Sequence, residues 1–160
     1  MKVMTVLGVG PKWAACVLSY GGLATWVSVR YSVLRIPDRL SLVTTILGVV
    51  LLAIGVVFYA IAGRAIIKGF PTGQLLTRGA YRICRHPVYG SWILFIIPGI
   101  ELLLRSCLGL STCLVGYVLL RIMARDEEAY LAEKFGNEYT LYRQRTPFVL
   151  PVGFLGKRQP

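Results

Sequence analysis

Long apolar runs separated by clusters of arginine and lysine dominate the chain. The plainest run covers residues 40–63, LSLVTTILGVVLLAIGVVFYAIAG, and carries no charge. As a helix it would be roughly 36 Å long, enough to cross a hydrocarbon core of about 30 Å with some tilt. Three more runs predict helices of the same kind. One covers about 13–29, uncharged but interrupted by Gly21 and Gly22. Another starts after Pro87 and reaches about 104, and the last covers about 106–120. These last two read as a tight hairpin turning near Arg105, with Glu101 and Arg105 spaced to pair on one helix face. Beyond 120 the pattern changes. RIMARDEEAYLAEKFG is charged, with Tyr130, Leu131 and Phe135 at helical spacing, so it predicts an amphipathic extension. Gly136 is its expected stop. A short second helix would hold Tyr139, Tyr142 and Arg145 on one side before Pro147 ends it. The expected fold is all-α: a polytopic transmembrane helix bundle of about four spans with a cytosolic C-terminal helical extension.

Composition supports the membrane reading. The chain has 160 residues, one domain's worth, of which 56% are hydrophobic and 16% charged. Its mean hydropathy is +0.65. An ordinary soluble domain is about 25% charged, and a globule of this size cannot hide so much apolar surface. The formal net charge of +11 would point to nucleic acid in a soluble protein, but no nucleic-acid motif is present. In a membrane protein it marks loops facing anionic lipid. Arg64, Lys68, Arg78, Arg82 and Arg85 fall in the loop after the second run, and seven basic residues follow from Arg121 onward. The connection between the third and fourth runs carries only Arg105. An even number of spans puts both basic clusters on one side, which the positive-inside rule makes cytoplasmic. The first loop, with Arg30, Arg35 and Arg39, would face outward against that rule. The expected organisation is a single membrane domain over 1–160, in which the cytosolic loop 64–87 and the cytosolic extension 121–160 enclose a pocket. The N-terminal stretch MKVMTVLGVGPKWAAC lacks a convincing cleavage site and is expected to be retained. No internal repeat or low-complexity segment is found.

Candidate chemistry is concentrated in the second half. The four cysteines, Cys16, Cys84, Cys107 and Cys113, form no CxxC pattern, so neither a disulfide framework nor a metal site is expected. Cys84, among Arg82, Arg85 and His86, is the one candidate for a reactive thiol. The densest motif is RHPVYG at 85–90, with the chain's only histidine, His86. Pro87 suits a helix's first turn and would set His86 at the mouth of the third span. Glu127 and Glu128 stand at the base of the extension, where a carboxylate facing a pocket could hold an ammonium or a ribose hydroxyl. FGNEYTLYRQRTPFVLP reads either as an interfacial aromatic and basic belt or as a cap over the pocket.

In this order and spacing, RHPVYG, a hydrophobic hairpin, EExxL and FGxEYxxYxxRTPxxLP, the chain resembles the isoprenylcysteine carboxyl methyltransferase and phospholipid methyltransferase superfamily from about Gly73 to Pro151. The resemblance implies a soluble-side pocket for S-adenosyl-L-methionine beside a lipid-accessible cavity. It assigns cofactor binding to Gly73, Gln74, Leu75, Leu76, Tyr81, His86, Pro87, Val88, Tyr89 and Glu127. Relatives carry polar side chains at the first two of these positions. Eukaryotic relatives also place a substrate-contacting arginine one turn before the glutamate, where this chain has Met123. Arg121 and Arg125 flank it, but two residues along a helix turn a side chain by roughly 200°. Arg125 and Arg145 are the candidates for orienting a substrate carboxylate. The implied activity is methyl transfer to a lipophilic acceptor, first of all a prenylcysteine-like carboxylate, with a lipophilic or prenylated substrate and membrane lipid as partners. A phospholipid, amine or thiol acceptor is the alternative, with His86 or Glu128 as base; no histidine–carboxylate pair is evident, which favours the carboxylate. Two other readings are an NADPH-dependent reductase-like protein and a non-catalytic membrane subunit.

Overall fold

The computed structural model describes residues 9–69, 71 and 73–149. Residues 1–8 and the end of the C-terminal motif at Leu150 and Pro151 lie outside it. Among the described residues the fold is all-helical; the one extended feature is an isolated bridge between Arg35 and Ser106. Helix α1 spans Gly10–Arg30 and α2 spans Ser41–Gly69. A short α3, Ala80–Ile83, precedes α4, Pro87–Ser91, which runs through a π-helical stretch, Trp92–Ile96, into α5, Ile97–Leu103. Helix α6 covers Ser111–Arg145.

Local chemistry explains several boundaries. Pro11 stands in the first turn of α1, where its missing N–H costs nothing, and Arg30 in the last turn complements the helix dipole. Pro87 does the same at the start of α4, with His86 as the cap residue. The π-helical stretch lies immediately before Pro98, whose ring and absent N–H break the regular ladder one turn upstream. Gly136 has φ +53° and ψ −122°, a conformation only glycine adopts easily. It kinks α6 rather than ending it, because helical geometry resumes and continues to Arg145.

The helices run alternately between two ends of the molecule. At one end the loop after α1 meets the turn before α6: Ile36 N–H donates to the Arg105 carbonyl (2.9 Å) and Cys107 N–H to that of Leu34 (3.1 Å). At the other end the start of α1, the end of α2, the start of α4 and the charged part of α6 surround a cavity. Small residues permit the packing between. A Cβ on Gly48 would lie 2.9 Å from the Gly99 carbonyl oxygen, and one on Gly55 would lie 2.7 Å from Ile96. Helix α2 therefore presses its Thr44, Gly48, Gly55 and Ala62 stripe onto α5 and the π-helical stretch within the same chain. Helix α1 turns Trp13, Val17, Gly21, Ala24 and Ser28 toward α6, where Trp13 Nε1–H donates to the Gly116 carbonyl at 2.8 Å. Trp13, Val17, Ile93, Ile97, Leu120, Ala124, Phe148 and Val149 form the core.

Among the described residues one stretch, Asp38–Gly69, is long and apolar enough to cross a membrane, with a mean hydropathy of 2.7. A core helix of a soluble protein would be mostly covered, yet only 17% of its apolar window is buried. Pro87–Leu103 is a shorter apolar helix.

Two further expectations change. Glu101 does not pair with Arg105. It accepts hydrogen bonds from the Thr25 hydroxyl at 2.9 and 2.8 Å, while Arg105, with φ +53°, turns away and pairs with Asp38. The hairpin turn at Arg105 is the reason: a left-handed residue cannot keep its side chain on the face of the helix it ends. The expected loop 64–87 is also partly helix, since α2 continues through Arg64 and Lys68 to Gly69.

Candidate functional site

Residues 79–86 carry the chain from α2's end into α4. Gly79, at φ +62° and ψ −128°, makes the turn that starts α3. Cys84 is extended and Arg85 forms a bend, and here two chain segments clasp each other. Arg85 N–H donates to the Pro147 carbonyl (2.9 Å) and His86 N–H to that of Phe148 (3.2 Å). The Tyr142 hydroxyl donates to the Tyr81 carbonyl at 2.7 Å. The C-terminal motif is thus bound along the RHPVYG motif, and Phe148 packs on the His86 ring with centroids 4.6 Å apart.

Two adjacent glutamates meet this clasp differently. Glu128 Oε1 lies 2.8 Å from Arg85 Nη1 and accepts from His86 Nε2 at 3.3 Å. Burial alone would raise its pKa, but the His86 hydrogen bond and the Arg85 charge hold it below the usual carboxylate value. Glu127 faces the other way. Burial pushes its carboxyl up, and its Oε2 is buried with no hydrogen-bond partner. Burial, then the nearby Glu127 carboxylate, pushes the Tyr81 phenol up as well. Burial also raises the Cys84 thiol to about 11, so this cysteine stays protonated at neutral pH and is no activated nucleophile.

Glu127, His86 and Arg85 open onto a cavity of about 690 Å³. Gly73, Gln74, Leu75, Leu76, Tyr81, His86, Val88, Tyr89 and Glu127 all line it. Pro87 is buried behind His86 and does not. Arg125 and Arg145 are exposed and stand outside the cavity. Arg125 instead borders a separate small polar pocket of about 130 Å³ with Arg121, Arg143, Glu128 and Phe148. Arg121 is stacked over Phe148, its guanidinium 4.7 Å from the ring centroid.

Several wall residues escaped the sequence reading. Trp13 and Val17 come from α1, Tyr59 and Gly63 from α2, and Trp92 from the π-helical stretch. The first half of the chain therefore contributes to the site. The helical spacing of Trp13 and Val17 was visible, but only tertiary packing brings them to the motif. Arg85 stood in the RHPVYG motif beside His86 but was assigned no role in the site. The His86–Glu128 contact joins residues 42 apart in sequence, and it removes the argument that no histidine–carboxylate pair exists. Among the described residues no group of three His, Cys, Asp or Glu side chains is placed to hold a metal ion.

Among the described residues, fold and site together define an all-helical arrangement with one membrane-capable helix and a ligand-sized, aromatic-walled cavity at one end. Residues 62–133, a little under half of the chain, match the isoprenylcysteine carboxyl methyltransferase (ICMT) family, which supports the resemblance to that superfamily. The protein-S-isoprenylcysteine O-methyltransferase of Mus musculus is 35% identical over 80 residues, covering 50% of this chain and 28% of that protein. Protein-S-isoprenylcysteine O-methyltransferase B of Arabidopsis thaliana is 35% identical over 81 residues, 49% of this chain and 40% of that protein. The cobalt-zinc-cadmium resistance protein CzcN of Cupriavidus metallidurans is 30% identical over 128 residues, 79% of this chain and 52% of that protein. The chain thus matches between 28% and 52% of these relatives' lengths. No solved structure shows significant similarity.

Proposed function

We propose that the chain is a membrane-embedded methyltransferase that uses S-adenosyl-L-methionine and methylates a lipophilic acceptor, with a prenylcysteine-like carboxylate as the first candidate. The observation that carries the reading is Glu127, which lines the large cavity and whose Oε2 is buried without a hydrogen-bond partner. A buried acceptor left without a donor is costly; with the Glu127 side chain turned toward the cavity, a ribose hydroxyl or an ammonium would satisfy it. The volume lies within the range of small-molecule sites, about 300–1,000 Å³, and Tyr81 and Tyr89 offer flat walls for an adenine. The residues fit the cofactor. Gly73 to Leu76, Tyr81, His86, Val88, Tyr89 and Glu127 would hold it, with Pro87 setting the backbone of His86. Bound there, S-adenosyl-L-methionine would supply an electrophilic methyl group on its sulfonium sulfur.

The chain's own part is to position the acceptor and exclude water. Alignment of two bound reactants can contribute roughly 7–11 kcal/mol of barrier reduction. A carboxylate acceptor is already ionised at neutral pH, so the protein need remove no proton. Val17, Leu18, Ile66, Ile67 and Trp92 give the same cavity an apolar side suited to a lipid chain. In this reading the four helical passes span the bilayer. The cavity end, with residues 64–87 and the extension from 121, then faces the cytosol in accord with its arginines and lysines. The names of the mouse and Arabidopsis relatives support prenylcysteine as acceptor class. A second reading has the His86–Glu128 contact in its favour: a histidine oriented by a carboxylate can take a proton from an amine or thiol acceptor.

The test is transfer of labelled methyl from S-adenosyl-L-methionine to S-farnesylcysteine analogues and to total membrane lipids. Base-labile label in the farnesylcysteine fraction is the expected result. Label confined to base-stable amine products would replace the first acceptor with the second. No transfer to either, by protein that is folded in detergent, would contradict the methyltransferase reading.

A further inference from the structure

One face of α6 continues the cavity wall beyond Glu127. Tyr130, Leu131, Lys134 and Phe135 all line it. Lys134 follows Glu127 by seven residues, which on a helix is within about 20° of two full turns and roughly 10 Å farther along the axis. The face therefore presents an acidic position at 127 and a basic one farther out at 134. Among the described residues that line the cavity, the other lysine or arginine is Arg85. Its side chain is only 9% exposed, meets Glu128 at 2.8 Å and lies 5.6 Å from the Phe148 ring centroid, so it is closed to a ligand.

Lys134 is open where Arg85 is closed. It is exposed, and its ammonium lies over the rings of Tyr130 and Phe135, 6.0 and 5.1 Å from their centroids. Both rings border the same cavity, so they set the ammonium at its edge. Ring faces attract a cation without neutralising it. Lys134 enters none of the ion pairs found among the described residues, and an ammonium has three donors to offer. With α6 leaving the bilayer near residue 121, position 134 stands on the aqueous side of the cavity, where a polar cofactor rather than a lipid chain presents its charged end. We propose that Lys134 binds the α-carboxylate of S-adenosyl-L-methionine and so fixes where the cofactor's amino-acid end lies. The inference rests on the cofactor reading above and deepens it by assigning the cofactor's one carboxylate to one residue.

The experiment measures, by calorimetry on purified full-length protein in detergent, the affinities for S-adenosyl-L-methionine and for its decarboxylated form, which keeps the sulfonium and the amine. Wild-type protein should prefer the carboxylate-bearing form by about threefold to fivefold, the size of a partly exposed ion pair. Lys134→Gln should bind the two forms equally, with its affinity for the decarboxylated form unchanged, and Lys134→Arg should keep the preference. Arg125→Gln removes the same charge from the same helix outside the cavity and should also keep it. Raising the salt concentration should shrink the wild-type preference and leave Lys134→Gln unmoved, because an exposed pair is screened. A preference that survives in Lys134→Gln overturns the proposal, as does an equal loss of affinity for both forms. A fall in N-acetyl-S-farnesylcysteine affinity with the cofactor preference intact also overturns it, since Lys134 would then serve the acceptor. Folded wild-type protein that binds neither form sinks the cofactor reading together with the proposal, whereas binding of both with no preference sinks the Lys134 assignment alone.

Discussion

Neighbouring residues of one type acquire opposite properties here, and their surroundings decide which. Glu128 is held ionised by His86 and Arg85, whereas Glu127 is pushed toward protonation by burial. Because Glu128 has a lowered folded-state pKa, its stabilising contribution is present above the ordinary carboxylate range and is lost as pH falls through the lowered value. The sign for Glu127 is reversed: its contribution is present below the ordinary range and is lost as pH rises through the raised value. Glu128→Gln should therefore destabilise the protein at neutral pH, by about 1–3 kcal/mol for a buried charged partner left unpaired. Glu127→Gln should melt slightly higher than wild type at neutral pH without ligand, yet bind S-adenosyl-L-methionine more weakly. Thermal melts of both variants across pH 4–8 check the pair; a Glu127→Gln protein that melts lower at pH 7 would contradict this account of the site. The sequence showed the importance of His86 and Glu127 through motif order. It could not show that Glu128 would turn to His86 and Arg85, because a helix position alone does not say which of two adjacent side chains faces a partner from another segment.

The long helices follow directly from uncharged runs, and the turn at Arg105 from the lone charged break between two of them. Their partners were less legible. Glu101 looked like the mate of Arg105 four residues on, but Thr25 reaches it from α1, 76 positions away. Gly136 looked like a stop, since glycine so often ends helices, but contacts of Tyr139 and Tyr142 beyond it hold the next turn in place. Gly48 and Gly55 were visible as small residues; that they serve packing within the chain required the close approach of α2 to residues 95–103. Gly55→Val should cost roughly 1–3 kcal/mol or more through overpacking. Gly22→Ala, which meets nothing within 4 Å, should be neutral or stabilising. Unfolding of both variants in detergent, followed by circular dichroism, measures the difference, and equal effects would contradict the packing described.

At the scale of the whole molecule, alternating helices put the two halves of the site at one end. The motif-bearing half supplies the polar groups, and α1 and α2 supply apolar wall that no local pattern could assign. Single cysteines in a cysteine-free background locate the ends: one replacing Ser32 and one replacing Glu133 should be labelled by an impermeant maleimide from opposite sides of the membrane. Labelling from the same side would contradict the membrane-spanning arrangement. The central claim is that the cavity bordered by Glu127 holds S-adenosyl-L-methionine. Calorimetric titration of wild-type protein and Glu127→Gln tests it most directly. The account predicts saturable one-to-one binding by wild type and affinity lower by about tenfold, or roughly 1.4 kcal/mol, in the variant; no binding by folded wild-type protein, or equal affinity in both, would contradict it.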